Sequence, residues 1–513
     1  MIKAAQLSSS FYIRLANGKL PARWGPITTV RHSSTSEEQT QAVVDVRSAT
    51  LDISHMVRAP DLHAANCRRR NHPAQSRFPD RIVKLHAEDQ ALEAEATSQR
   101  AHQNRLDKRI KEILASRPKG AAVAAAQEQG NDEVDALIAT RRELQPAIKE
   151  SLTRQRQLRA EIYDLAIQLP NLTSPRTPPG NSPKLLRSYT PAPHLSIPHP
   201  NLSTSHVDIG TALDLLDFSA SAATSGWGFY FLKNAAVLLE QALISFALRT
   251  ALAHSFRLLA PPSIVHTSLA SAAGFRPRDQ HGERQTFALE GSHPPASLAA
   301  TAEIPLAGMR ARTTLPRSAL PDRVVGVSRC YRAEAGARGV DARGLYRVHE
   351  FSKVELFVWL PGGDPPDASD RELDAIVALQ ERICQALGLK YRVLEMPGND
   401  LGASAYRKVD LEAFFPSRGD VSDGWGEVTS ASACTDYQAR RLGTRVRNEG
   451  REGKAGFAHT LNGTAVAVPR VLAAILENGW DEKGGRVVLP ECLWGYMGME
   501  CIERPKRGGG STG

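Results

Sequence analysis

The chain has 513 residues, of which 42% are apolar, 23% charged and 6% aromatic, with a formal net charge of +9 and an isoelectric point near 9.3. That length exceeds one ordinary core, and the apolar fraction is enough to fill two or three, which excludes a disordered chain and a single small domain. The positive balance favours a polyanionic partner, because neutralising phosphates releases counterions.

No stretch approaches eighteen consecutive apolar residues, so neither a transmembrane helix nor a membrane partner is expected. The six cysteines (Cys67, Cys330, Cys384, Cys434, Cys492 and Cys501) lie far apart, with no CxxC spacing and no histidine at zinc-ligand spacing. Reduced thiols and no zinc are the expectation.

Residues 1–36 carry Lys3, Arg14, Lys19, Arg23 and Arg31, no acid precedes Glu37, and serine and threonine are abundant. This is the composition of a mitochondrial transit peptide, so residues 1–45 are set outside the fold and the matrix is the expected location.

From Ile82 to Leu165 the sequence turns rich in Ala, Glu, Gln, Arg and Leu, with apolar residues at alternating intervals of three and four. One seam runs through Ile82, Leu85, Asp89, Leu92, Ala96, Gln99, Gln103, Leu106, Ile110 and Ile113, and a second from Val134 through Leu144, Ile148, Ser151, Leu158 and Ile162 to Leu165. Both are heptad patterns, and the glycines, prolines and polar residues from Arg117 to Asp132 carry the stop and start signals of a hairpin. If the chain reverses near Val123, Gln99 and Gln103 fall opposite Ile148 and Ser151, so the weak parts of the two seams face each other. Helices of about forty residues are about 60 Å long and predict an arm within a domain spanning 46–170. From Arg81 to Asp164, fifteen Lys and Arg face fourteen Asp and Glu, so any RNA-binding face must come from arrangement. Pro146 is expected to kink or break the second helix. The run Arg68, Arg69, Arg70 is either an RNA contact or a solvated stretch.

Nine prolines between Pro170 and Pro200 mark residues 171–205 as a linker without regular structure. Trp227 to Leu252 reads as a helix, and helices around Asp370–Leu387 and Val471–Glu477 interleave with strands. An α+β architecture on an antiparallel sheet flanked by helices is expected over 206–505, with a disordered tail at 506–513.

Val327 to Trp359 is the densest source of chemistry. It reads as two strands around a loop rich in glycine and arginine. A period of two sets Cys330, Arg332 and Glu334 on one face of the first strand, and His349, Phe351, Lys353 and Glu355 on one face of the second. A solvated face has no need of Phe351 among its charges, nor of Gly336, Gly339 and Gly344 in the loop.

The segment Tyr331-Arg332-Ala333-Glu334-Ala335-Gly336, with Arg343-Gly344-Leu345 and Val348-His349-Glu350-Phe351, resembles motif 2 of the class II aminoacyl-tRNA synthetases, and in detail the bacterial and mitochondrial seryl-tRNA synthetases. Three further segments resemble parts of the same family in the same order. Thr301-Ala302-Glu303 is similar to its serine-binding loop, Glu427-Val428-Thr429-Ser430 with Cys434 to Arg441 to its metal and ATP strand, and His459 to Thr464 with Arg470 to motif 3. Leu258 to Pro262 is similar to motif 1, at the dimer interface.

The resemblance implies an ATP-dependent ligase that forms seryl-adenylate from L-serine and transfers the seryl group to the 3′ end of tRNA-Ser, working as a homodimer with Mg²⁺. Arg332, Glu427 and Arg470 are the implied catalytic residues. Arg332 would hold the α-phosphate and the serine carboxylate, since a guanidinium fork matches oxyanions. Ala333, Glu334, Val348, His349, Glu350, Phe351, Val428 and Thr429 would complete the ATP site, with Glu334 on the adenine amino group and Phe351 stacked under the base. Glu427 and Ser430 would hold Mg²⁺ through oxygen. Thr301, Ala302, Glu303, Glu355, Asn462 and Thr464, with Arg332, would bind serine, the polar partners of its hydroxyl excluding alanine. The hairpin would hold the long variable arm of tRNA-Ser.

The sequence departs from the family pattern at Pro469, ahead of Arg470, and at Gly274–Leu298. Two other readings are a non-catalytic RNA-binding or mitoribosome-associated relative, and a class II synthetase for another small amino acid.

Overall fold

The computed structural model describes residues 49–115, 124–192, 204–275, 285–333, 344–363, 367–419, 421–447 and 455–504, with 124–131 as backbone. The expected leader, the hairpin tip with Val123, Gly336 and Gly339, the C-terminal tail and Glu334 lie outside the described residues.

In the N-terminal part, α1 (Pro60–Arg69) leads into two long helices, α2 (Phe78–Ala115) and α3 (Ala124–Ala166). Cross-helix ion pairs run antiparallel: Arg81 meets Glu161 at 2.9 Å, Glu88 meets Arg154 at 2.7 Å, Asp107 meets Arg141 at 3.0 Å and Arg109 meets Glu133 at 3.0 Å. Ile82, Leu85, Leu158, Ile162, Ala166 and Leu169 pack with Met56 and Cys67 at the base of the hairpin. Further along, the seam is partly polar: Gln103 lines a surface pocket with Ile148 and Thr153. The second helix is not broken at Pro146. That residue is exposed, so the carbonyl its ring leaves unbonded can reach water.

The arginine run is mostly neither an RNA contact nor solvated. Arg70 is 1% exposed and donates to the carbonyls of Asn171 and Ala405, each at 2.7 Å, and to those of Leu401 and Gly402. Arg69 donates to the Thr177 carbonyl at 2.6 Å and the Thr173 hydroxyl at 3.3 Å. Arg68 is the exposed member. The main-chain carbonyls of the segments folded against this helix take up the Arg69 and Arg70 guanidinium N–H groups, and this sets the run's role.

The linker also differs from expectation. Asn171 donates from its side chain to the carbonyls of Ser404 and Cys434, both at 2.8 Å, and Lys184–Tyr189 forms strand β1. The prolines bracket that strand rather than interrupt it, and at the sheet margin only one of its edges needs pairing.

β1 joins a ten-stranded sheet with β2 (Arg257–Leu259), β3 (Thr314–Pro316), β4 (Asp322–Tyr331), β5 (Glu350–Pro361), β6 (Tyr391–Glu395), β7 (Arg407–Phe414), β8 (Trp425–Thr435), β9 (Arg445–Arg447) and β10 (Gly456–Ala467). The order is β1-β6-β7-β8-β10-β5-β4-β2, with β9 paired to β10 and β3. All pairs are antiparallel except β2 with β4 and β3 with β9.

Alternation along β5 sorts its side chains. Val354, Leu356, Val358 and Leu360 enter the main core against α5 (Ala235–Ala253), α7 (Ala368–Ala386) and α8 (Val468–Asn478), while Phe357 and Trp359 enter a second core with α6 (Glu303–Gly308). Among the described residues α5 is the one helix long and apolar enough to cross a membrane, with mean hydropathy 1.5. Its Leu239, Ala242, Leu243 and Ala247 are buried in the main core. It begins at Ala235, later than the reading from Trp227, because Phe231–Leu232 forms a short strand first.

Candidate active site

Phe351, Lys353 and Glu355 occupy the face of β5 opposite its main-core residues, and the register sets them beside named partners on both neighbours. Phe351 lies opposite Cys330 and Glu355 opposite Gly326 on β4, while Glu355 lies opposite Thr464 on β10. A backbone bond from Arg332 N–H to the His349 carbonyl (2.8 Å) closes the β4–β5 end, and His349 Nδ1 lies 2.9 Å from the Arg332 carbonyl. Arg332 therefore emerges where the strands stop, its guanidinium 5.3 Å from the Phe351 ring centroid and its Nε 3.4 Å from the Ala300 carbonyl.

A cavity open to solvent is lined by Arg332, Tyr346, Arg347, Val348, Phe351, Lys353, Glu427, Val428, Thr429, Ser430, Thr464, Ala467, Pro469 and Arg470. Pro469 sits in the first turn of α8, where a helix has no use for an N–H, so it leaves the start of that helix intact. Arg470 follows it. Its guanidinium lies 3.1 Å from the Glu427 carboxylate and donates to the Glu427 and Tyr346 carbonyls at 3.0 and 3.1 Å. Burial pushes the Glu427 carboxyl up, but Arg470, Lys408 and Arg332 outweigh it and hold the group down at about 2. The site thus keeps one ionised carboxylate between cations at every working pH.

Behind this cavity is a second group of charges. Lys353 Nζ lies 2.6 Å from Glu355 Oε2, and the Thr464 hydroxyl donates to the same oxygen at 3.2 Å. The side-chain amides of Gln438 and Asn462 donate to Glu303 Oε1 at 2.6 and 2.8 Å. Burial and then the nearby Glu355 push the Glu303 carboxyl up to about 7, against Lys353, the Gln438 hydrogen bond and Arg332. Two buried carboxylates with one lysine make a group short of positive charge, which an ammonium beside it would complete.

Not every expected residue reaches these walls. Among the cavity-lining residues, His349, Glu350, Ala333, Thr301 and Ala302 are absent. His349 packs its ring near Trp227, Phe229 and Phe287, and Glu350 lies 3.8 Å from Arg329. Thr301 and Ala302 are buried and lead directly into the helix that starts at Glu303, whose N–H donates to the Thr301 hydroxyl at 3.2 Å. Lys353, Gln438 and Tyr346 belong to the site without having been assigned to it. Lys353 was visible in the period-two face and Gln438 lies within the Cys434–Arg441 segment, though without a role given to it, while nothing local marks Tyr346.

The strand order, the antiparallel sheet and the two arginines lining one cavity define a class II aminoacyl-tRNA synthetase core. Residues 293–479 match the family described as tRNA synthetase class II core domain (G, H, P, S and T), and residues 50–173 match the seryl-tRNA synthetase N-terminal domain. The chain is 40% identical over 394 residues to the mitochondrial serine–tRNA ligase of Saccharomyces cerevisiae, covering 76% of this chain and 84% of that one. It is 38% identical over 460 residues to the serine–tRNA ligase of Rubrobacter xylanophilus, covering 89% and 100%. The seryl-tRNA synthetase of Pyrococcus horikoshii, solved with ATP, superposes with a TM-score of 0.77 at 32% identity, over 89% of this chain and 100% of the other. The chain belongs to the seryl-tRNA synthetase family, enzymes that activate serine and charge tRNA with it.

Proposed function

We propose that this site binds ATP and L-serine, joins them as seryl-adenylate and delivers the seryl group to the 3′ end of tRNA-Ser. The observation that carries the reading is the pairing of two groups: a cavity lined by both Arg332 and Arg470, and beside it the buried pair Glu303 and Glu355 with Thr464. In the first step an oxygen of the serine carboxylate attacks the α-phosphorus, the bond to the bridging oxygen breaks and pyrophosphate leaves. Arg332, beside the Phe351 ring, neutralises the oxyanion that gathers charge, and Arg470 holds the departing phosphates. Phe351 carries the base, with Val348, Val428 and Thr429 around it and Ala333, Glu334, His349 and Glu350 as further contacts. Glu303 and Glu355 take the serine ammonium and hydroxyl, aided by Asn462, Thr464 and the loop Thr301–Ala302; alanine would leave the hydroxyl partners unpaired.

Glu427 and Ser430 offer only oxygen, the donor set of Mg²⁺. Among the described residues no group of three or more His, Cys, Asp or Glu is gathered for a metal. Two protein donors suit an ion that keeps waters and phosphate oxygens as its other ligands. An orphaned buried oxygen of Asp410, opposite Ser430 in the strand register, leaves a further acceptor nearby. When bound, Mg²⁺ supplies charge neutralisation on the phosphates.

The hairpin arm of a domain at 46–170 holds tRNA by its backbone and shape, and the catalytic domain spans 206–505. Leu258, Ile264 and Met309 are exposed around an apolar groove that includes Pro261, Pro262 and Leu269, a surface suited to a second copy and a homodimer. The acid-free N-terminus supports a mitochondrial matrix location.

Serine-dependent exchange of pyrophosphate into ATP tests the reading. Exchange with serine and at least a hundredfold less with alanine or threonine is expected; no exchange with any amino acid would favour the non-catalytic RNA-binding alternative.

A further inference from the structure

Resting on the proposed ATP site, we infer that His206 is a positioning residue for ATP: held by Glu477 in one tautomer, it fixes the limb Gly344–Val348 that carries Tyr346 and Arg347 into the nucleotide cavity.

His206 opens the helix α4 (His206–Ala212), far in sequence from either partner, and both its side chain and that of Glu477 are buried. His206 Nδ1 lies 2.7 Å from Glu477 Oε1, and the His206 backbone N–H donates to the same oxygen at 3.1 Å. On the other side of the ring, the backbone N–H of Leu345 points at Nε2 from 3.0 Å. A backbone N–H can only donate, so Nε2 must accept and the ring proton sits on Nδ1, facing the carboxylate. Glu477 is thereby committed as well. Its second oxygen accepts from the Ser417 N–H at 3.1 Å, and these bonds hold its carboxyl below the usual range despite burial.

The limb fits the ring closely. Gly344 has φ +64°, and a Cβ there would lie 2.2 Å from His206 Nε2, so both the backbone conformation and the space require glycine. One residue beyond Leu345, the Tyr346 carbonyl accepts from Arg470, and the Tyr346 ring lies 4.8 Å beneath the same guanidinium. Glu477 and Arg470 are both on α8, seven residues apart. The limb is therefore tied twice to one helix: directly through Arg470 and through His206 to Glu477. Losing the second tie leaves the Leu345 N–H buried and unpaired, and frees the limb to move away from the phosphate-binding arginine.

The test uses the full chain, with pyrophosphate exchange and thermal unfolding measured on wild type, His206→Ala, His206→Gln and His206→Asn. Glutamine can set an acceptor oxygen where Nε2 lies; asparagine reaches only the Nδ1 position. Expected are a roughly tenfold higher KM for ATP in His206→Ala and His206→Asn, a KM for serine within about twofold of wild type, and a KM for ATP within about threefold in His206→Gln. Should His206→Ala fail to fold, the glutamine and asparagine variants decide by the same contrast. An unchanged KM for ATP in the alanine or asparagine variant, or equal rises in both KM values for glutamine and asparagine alike, would overturn the inference while wild-type exchange left the reading of the site standing. Absence of serine-dependent exchange in wild type would overturn both.

Discussion

The hairpin arm and the catalytic sheet are built with the same charged residues, used in opposite ways. In the arm, Arg154 and Glu88 pair at 2.7 Å with both side chains 45% exposed. In the sheet, Lys353 and Glu355 pair at 2.6 Å with 7% and 2% exposed. An exposed pair is worth about 0.2–1 kcal/mol and yields to salt, whereas buried charges cost several kcal/mol of desolvation and persist only with partners. Charge in the arm therefore sets how two helices align. Charge in the sheet is held ready for a ligand, and the near-neutral total of the arm follows from its cross-helix pairing.

If that contrast is right, truncation in the sheet should be costly in function and truncation in the arm nearly silent. The largest effect is expected for Arg332→Ala, about a 10³-fold loss of kcat/KM in serine-dependent exchange, or about 4 kcal/mol of transition-state stabilisation. Its unfolding temperature should stay near wild type, because among the described residues its side chain is held by one long hydrogen bond, to the Ala300 carbonyl at 3.4 Å. A loss below tenfold would place the oxyanion contact elsewhere.

Arg70 should come next, and it reads out on folding. Burial pushes its guanidinium down to about 10, still charged at neutral pH, and it caps carbonyls from segments more than three hundred residues away as well as Asn171. Arg70→Met is expected to lower stability by about 3 kcal/mol, read as a fall in the thermal or denaturant midpoint. Arg68→Met, on the exposed member of the run, should stay within about 0.5 kcal/mol.

This pair of neighbours also marks where sequence reading stops. Local pattern located the two long helices, the strands around Arg332 and the faces of β5, because heptads and period-two alternation are written in adjacent residues. The motif residues likewise named most of the cavity wall. Arg68 and Arg70 are indistinguishable by type and spacing; what separates them is the contact of Arg70 with the loop at 401–405, which only tertiary structure supplies. Tyr346 was missed for the same reason, as was the contact of Gln438 with Glu303, and the prolines around β1 signalled a linker because proline frequency says nothing about the strand it borders.

Glu303 provides an intermediate effect with a definite sign. Its folded pKa of about 7 lies above the usual glutamate value, so ionisation opposes folding: this group's contribution to stability is greatest below about pH 4.5 and is lost as pH rises through 7. With the serine ammonium on this carboxylate, as proposed above, binding would reverse the sense, since the ammonium needs the ionised form. The KM for serine should therefore rise as pH falls below 7, approaching tenfold per unit, while the KM for ATP stays level. Glu303→Gln should bring the high KM to all pH values and flatten the profile. A KM for serine independent of pH from 5.5 to 8 in wild type would remove Glu303 from ammonium recognition.

The smallest effect belongs to the arm, where a double-mutant cycle on Glu88→Ala and Arg154→Ala should return a coupling of about 0.3–0.5 kcal/mol at low salt and almost nothing at 1 M, where the screening length is about 3 Å. A salt-insensitive coupling above about 1 kcal/mol would break the contrast with the sheet. So weak a pair still decides something, because the alternatives to it are worse. Sliding one helix by a heptad in one direction sets Arg81 against Arg154, and in the other sets Glu88 against Glu161. With Gln103 and Ser151 leaving the middle of the seam polar, apolar packing discriminates poorly between these registers. The charge pairs then select the register through the repulsion they avoid, which is why they can be individually weak, exposed and still ordered along the full length of the arm.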